Sequence, residues 1–259
     1  MQKKTFTYLF FVQYLGLRYA GWQKQKEKKT IQGSLEKAFR HTFGHEDFSL
    51  LGAGRTDAGV SANQAAFELF LPHEIKVTDI CDEVNNNLPS DIRLIRAQGV
   101  DKKFNIIKSV LWKEYQYHMA FGEKFHPFAA GNLVHFKEEA NIPLMKEGAS
   151  LFLGRHDFKC FCSPDNISND YVREIQISEI IPHAQAGQGL IPENALTFRV
   201  RGKGFLKYQV RIMAGALVDL GAGRLNLDDL KNALLSEEKK AISGKASAHG
   251  LVLEEVFFV

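Results

Sequence analysis

The feature that most constrains this chain is that strand and helix signals recur in a similar order in its two halves. The first half opens on Phe6-Thr7-Tyr8-Leu9-Phe10-Phe11-Val12, an aromatic and β-branched run that predicts a strand over 5–14. A helix near Ile31–Phe43 follows, with Leu35, Ala38, Phe39 and Thr42 at three- and four-residue spacing. A strand over Ala65–Phe70 comes next. A helix near Asp79–Leu88 starts after Thr78 and stops at Pro89, and a strand over Ile92–Ala97 closes the half. The second half restarts with a strand over Trp112–Ala120 and a helix near Pro143–Leu153. Strands over Val172–Ile181 and Leu196–Arg201 are joined by an exposed turn at Gln185–Pro192, marked by Gly187, Gly189 and Pro192. A helix over Phe205–Leu220, a short helix over Asp228–Leu235 and a strand over Leu251–Val259 end the chain. Helices interspersed with strands inside each half point to two α+β units rather than one doubly wound sheet. The expected division is 1–103 and 104–259, with the boundary near Gly99–Phe104.

Composition narrows the class without naming it. The chain's 259 residues are 45% hydrophobic and 24% charged, as in an ordinary globular protein. Twenty Phe promise a sizeable core or stacking surfaces. A net charge of +3 permits nucleic-acid binding without requiring it. Cys81, Cys160 and Cys162 include no C-x-x-C and suggest no disulfide framework, so a reducing cytoplasm is expected. His156, Cys160 and Cys162 lack a second ligand pair at zinc spacing, so no metal is expected. Gln13 interrupts the apolar run after Lys3-Lys4, which argues against a signal peptide. No uninterrupted apolar stretch approaches ~18 residues, so no membrane span is expected.

Four segments carry chemistry. Leu50-Leu51-Gly52-Ala53-Gly54-Arg55-Thr56-Asp57-Ala58-Gly59-Val60 offers a cation, a hydroxyl and a carboxylate on a tight glycine-bounded loop after an apolar strand end. The plain alternative is an aspartate that caps its own turn. The run Tyr14 to Gln25, continued by Thr30-Ile31-Gln32-Gly33, mixes basic, amide and aromatic groups. Arg18 and Lys24 suit phosphates, while Tyr19 and Trp22 either stack on bases or pack in the core. In Lys113-Glu114-Tyr115-Gln116-Tyr117 the two tyrosines face the same side of a strand. In Gly204 to Met213, Arg211 begins the apolar face of a helix, an awkward place for a charge unless it has a partner or snorkels to solvent.

Taken in order, these segments resemble the TruA-type tRNA pseudouridine synthases nearly from end to end. A Tyr-x-Gly…Tyr-x-Gly-Trp-Gln segment comes first, the glycine-rich run matches that family's signature, and basic-x-Tyr-x-Tyr and Phe-Leu…Val-Arg segments follow. Gly154-Arg155-His156-Asp157-Phe158, Val172-Arg173-Glu174-Ile175 and Gly250-Leu251-Val252-Leu253-Glu254-Glu255-Val256 add weaker matches. The resemblance implies the pseudouridine synthase fold, two ferredoxin-like α+β halves with sheets joined around a central cleft. It implies Asp57 as the catalytic residue, Arg55 entering the space vacated by a flipped nucleotide, Tyr115 packing on the uracil and Arg211 pairing with Asp57. It also implies a homodimer acting on tRNA, on uridines of the anticodon stem–loop (tRNA positions 38–40 in the family).

The isomerisation involves no redox change and needs no energy source, so no cofactor is implied. Two departures bear on the target: Ser61 stands where the family usually has His, and Phe104-Asn105-Ile106-Ile107 replaces a Phe-His-Ala-Arg run. They leave open a paralogue that modifies a different RNA site. A catalytically idle RNA-binding or RNA-folding module is a further alternative. A nucleotide-binding enzyme using the glycine loops is disfavoured, because neither Gly52-Ala53-Gly54 nor Gly221-Ala222-Gly223 completes G-x-G-x-x-G.

Overall fold

The computed structural model describes residues 6–101, 103–165 and 170–259. Thr5, the expected first strand residue, and Lys102, within the expected boundary stretch, lie outside the described residues. The chain divides into two units, Met1–Leu111 with Leu253–Val259, and Trp112–Val252.

In the first unit, β1 (Phe6–Tyr14) pairs antiparallel with β3 (Ser61–Leu71) on one side and β4 (Ile92–Gly99) on the other. The short β2 (Ser49–Gly52) pairs with residues 67–70 of β3, and β10 (Leu251–Phe258) lies beyond β3. Register sets Phe10 against Phe67, and their rings stack at 5.2 Å. Helix α1 (Ile31–Phe43) lays Ile31, Leu35, Ala38 and Phe39 on this sheet, with Phe39 edge-on to Phe10 at 5.3 Å. Thr30 caps α1 by accepting the Gly33 N–H, and Gly44 ends it in a left-handed turn at φ 71°. Phe10, Phe11, Phe39 and Phe67 are therefore core.

Helix α2 (Val77–Asn85) begins two residues before the expected start, with Lys76 rather than Thr78 at its N-cap position and no side-chain capping bond. The Thr78 hydroxyl turns to the Asp79 carboxylate instead. Its end falls short of Leu88 because Asn87 and Leu88 close tighter three-residue turns onto Val84 and Asn85. Glu68 is buried on β3; one carboxylate oxygen accepts the Ile106 N–H at 3.1 Å, and burial pushes its pKa up.

In the second unit, β5 (Val110–Phe121), β9 (Leu196–Gly202), β8 (Val172–Pro182) and β7 (Gly154–Asp157) pair antiparallel in that order. The three-residue β6 (Val134–Phe136) runs parallel to β5. Helix α3 (Ile142–Ser150), capped by Asn141, packs against α4 (Gln209–Gly221). Contact is close because position 148 is Gly: a methyl there would lie 2.3 Å from Leu220 Cδ2. Helix α5 (Leu227–Leu235) starts with a capping box, Asn226 accepting the Asp229 N–H at 3.0 Å and Asp229 accepting the Asn226 N–H at 2.8 Å. The turn between β8 and β9 holds Gly187 and Gly189 at positive φ, which fits the glycine signal.

The helix predicted from Phe205 starts at Gln209, because Gln209 folds back on the preceding turn. Its side chain accepts the Leu206 N–H at 2.8 Å, and its own N–H reaches the Leu206 carbonyl at 3.1 Å. Tyr208 then sits in the left-handed region at φ 63° and ψ 7°.

Candidate active site

The Asp57 loop is fixed by backbone packing. It leaves β2 at Gly52 and re-enters the sheet at Ser61. Ala53, Thr56 and Val60 point inward, while Arg55 is exposed and Asp57 half-buried. Thr56 Oγ1 meets the Tyr14 hydroxyl at 2.8 Å in a buried hydrogen bond. The Thr56 carbonyl accepts the Trp22 N–H at 3.0 Å, and the Gly59 N–H donates to the Tyr19 carbonyl at 3.2 Å. The segment that carries Tyr19 and Trp22 is thus the clamp that shapes the loop. Gly21, at φ 100°, leaves no room for a side chain: a methyl would lie 2.8 Å from the Thr56 carbonyl oxygen. This close backbone contact fixes the course of the loop that carries Arg55 and Asp57.

Ser61, the first departure from the family pattern, has an internal role. Its buried hydroxyl accepts the Gly16 N–H at 3.0 Å. Gly16 itself is required, since a methyl there would lie 1.9 Å from the Val60 carbonyl oxygen. Tyr19 and Trp22, left open between stacking and packing, are both buried. The Tyr19 hydroxyl donates to Asp91 at 2.5 Å. Burial, then that bond, pushes its pKa far above the ordinary range. Arg18 is largely exposed and pairs with the same Asp91 at 3.0 Å. Lys24 pairs with Glu36 at 2.6 Å. Both cations sit on the segment that clamps the loop, each with an acidic neighbour. Ile107 is 55% exposed, so the second departure replaces a charge by an apolar surface residue.

In the second unit, Tyr115 is partly exposed and its ring meets Phe205 edge-on at 5.2 Å. Tyr117, on the same side of β5, is fully buried, and burial holds its hydroxyl protonated while the Arg211 charge pulls the other way. Arg211 is 9% exposed. Its Nε donates to the Ala246 carbonyl at 2.8 Å, and the Ala246 N–H returns a bond to the Arg211 carbonyl at 3.0 Å. This reciprocal pair sets the direction of the guanidinium. The opposite face of β5 is polar. Buried Glu114 accepts from Arg199 at 2.8 and 3.0 Å and from Arg201 at 2.9 and 2.6 Å. The two arginines hold its carboxyl below the usual range against the desolvation that raises it. The Lys113 ammonium is pushed down by burial.

Cys160 and Cys162 are buried and donate to the carbonyls of Glu238 and Lys159. Among the described residues no group of three His, Cys, Asp or Glu is arranged to hold a metal. No helix of the described residues is long and apolar enough to cross a membrane. Sequence reasoning missed two site-shaping features, the Tyr14–Thr56 bond and the left-handed Tyr208. The first is a contact across 42 positions that no local pattern announces.

A model of the tRNA pseudouridine synthase family matches residues 10–107 and 149–259. The chain is similar to tRNA pseudouridine synthase A of Thermodesulfovibrio yellowstonii, at 32% identity over 253 residues, 95% of this chain and 97% of that protein. It is 33% identical over 248 residues to the Bacillus pumilus protein of the same name, covering 95% and 97%. The protein of that name from Latilactobacillus sakei is 29% identical over 251 residues, covering 97% and 98%. The chain belongs to the tRNA pseudouridine synthase family, and with it to the isomerases that act on tRNA.

Proposed function

We propose that this chain converts uridine to pseudouridine in the anticodon stem–loop of tRNA, with Asp57 as the catalytic carboxylate, working as a homodimer in the cytoplasm. The N1–ribose bond of the uridine breaks and C5 bonds to the same ribose carbon; the C5 proton leaves to solvent and N1 gains one. Asp57 acts on the ribose or the base. Arg55 enters the space left by the flipped nucleotide, Tyr115 packs on the uracil, and Arg211 pairs with Asp57 to keep it ionised and oriented. Arg18 and Lys24 contact RNA phosphates.

The observation that carries this reading is the Asp57 loop itself. Thr56 is tied inward to Tyr14, the backbone on both sides is clamped by residues 19–22, and of the two flanking charged residues Arg55 is exposed and Asp57 half-buried. A turn built only to cap itself needs no such clamp. Free thiols at all three cysteines support a reducing compartment.

The experiment is tritium release from tRNA transcripts carrying 5-tritiated uridine, followed by mapping of pseudouridines in cells that lack the protein. Release from a transcript whose only labelled uridines lie in the anticodon stem–loop is expected, with those sites unmodified in the deletion strain. Tritium release confined to another region assigns a different target. Silence on all tRNAs favours an idle RNA-binding module.

A further inference from the structure

Tyr208 is conspicuous on both backbone and charge. A tyrosine at φ 63° occupies a region that glycine or asparagine fills at less cost, and its side chain makes no capping bond to α4 that would repay the strain. The half-buried ring is surrounded by cations. Lys245 Nζ lies 4.1 Å from its centroid, Lys207 Nζ 5.3 Å and the Arg211 guanidinium 5.5 Å.

The arrangement is built rather than incidental. The reciprocal bonds between Arg211 and Ala246 fix the segment that carries Lys245 beside α4. Gly215 lets that segment approach, since a methyl there would lie 2.1 Å from the Gly244 carbonyl oxygen. Lys207 is steered by Asp165 at 2.7 Å. A half-buried aromatic ring with ammonium groups over it is the chemistry of a nucleotide site, in which the ring packs on a base or ribose and the lysines take the adjoining phosphates.

We infer that Tyr208, with Lys245 and Lys207, forms a binding platform for an RNA nucleotide next to the one being isomerised. The inference rests on the proposed reading of the chain as an enzyme acting on tRNA, and on Arg211 as a member of its site. Tyr208 is a binding residue, distinct from the catalytic carboxylate.

The test uses the full-length protein, an unmodified tRNA transcript in filter binding, and tritium release from the same transcript. Tyr208→Asn suits the backbone and removes the platform. It is expected to weaken transcript binding roughly tenfold, with a thermal midpoint equal to or above wild type. Tyr208→Phe is expected to bind as wild type. Lys245→Ala is expected to flatten the slope of log affinity against log salt by about one unit. Wild-type affinity in Tyr208→Asn overturns the platform, and so does a loss of binding accompanied by a lowered midpoint. If the wild type binds the transcript but releases no tritium, the isomerase reading fails while the binding series still decides on the platform. Absence of wild-type binding overturns both.

Discussion

Replacing His118 by Gln tests how burial shapes the second unit. His118 is 7% exposed on β5, its Nδ1 lies 3.0 Å from Thr197 Oγ1, and its ring meets that of His183 at 4.6 Å. Burial, with His183 alongside, pushes the imidazole from 6.5 down to about 4. The unfolded chain therefore binds a proton through the window between those values that the folded protein refuses. Stability is full above the unfolded value and falls as pH drops from 6.5 toward 4. One pKa unit corresponds to ~1.4 kcal/mol, so the complete loss is about 3 kcal/mol. Between pH 7 and pH 5 it amounts to about 2 kcal/mol. Urea unfolding at the two pH values measures it. The Gln variant, which keeps a polar partner for Thr197, should lose about 2 kcal/mol less than wild type on that step, whatever its stability at pH 7. His183, also pushed down by burial, remains in both proteins. Equal losses in the two proteins would refute the reasoning.

Ser61→Ala strands the Gly16 N–H beside the Asp57 loop and should cost about 1–2 kcal/mol in urea unfolding, with tritium release slowed as the loop loosens. Glu114→Gln leaves Arg199 and Arg201 without their shared carboxylate. Those arginine side chains are 28% and 25% exposed, so the cost in urea unfolding at pH 7 should be about 2 kcal/mol, below the ~3–5 kcal/mol of a fully buried pair. Because the Glu114 pKa is lowered, that difference should shrink as pH falls through the carboxylate range. Gly148→Ala forces a methyl against Leu220 and should lower stability by about 1–3 kcal/mol on thermal unfolding.

Much of the fold was legible because its signals are local. The Phe6–Val12 run, the spacing of Leu35, Ala38 and Phe39, and the glycines of the β8–β9 turn each fix an element by themselves. What escaped depends on distant partners. The start of α4 was misread because Phe205 and Leu206 continue the apolar pattern, while the break comes from the Gln209 side chain competing for the turn. The left-handed Tyr208 follows from that same break. Ser61 reads as a deviation in sequence; its purpose appears only once Gly16 is seen against Val60. The Asp57 loop was legible as a motif, but the reason it is rigid lies in Tyr14, Tyr19 and Trp22, which sequence alone could not assign to stacking or packing.

The central claim is that one carboxylate does the chemistry. Tritium release from labelled tRNA under single turnover, compared between wild type and Asp57→Asn, addresses it directly, with filter binding run alongside. Release by the wild type, none by the variant, and transcript binding by both are expected. An Asp57→Asn protein that still releases tritium at an appreciable rate would contradict it.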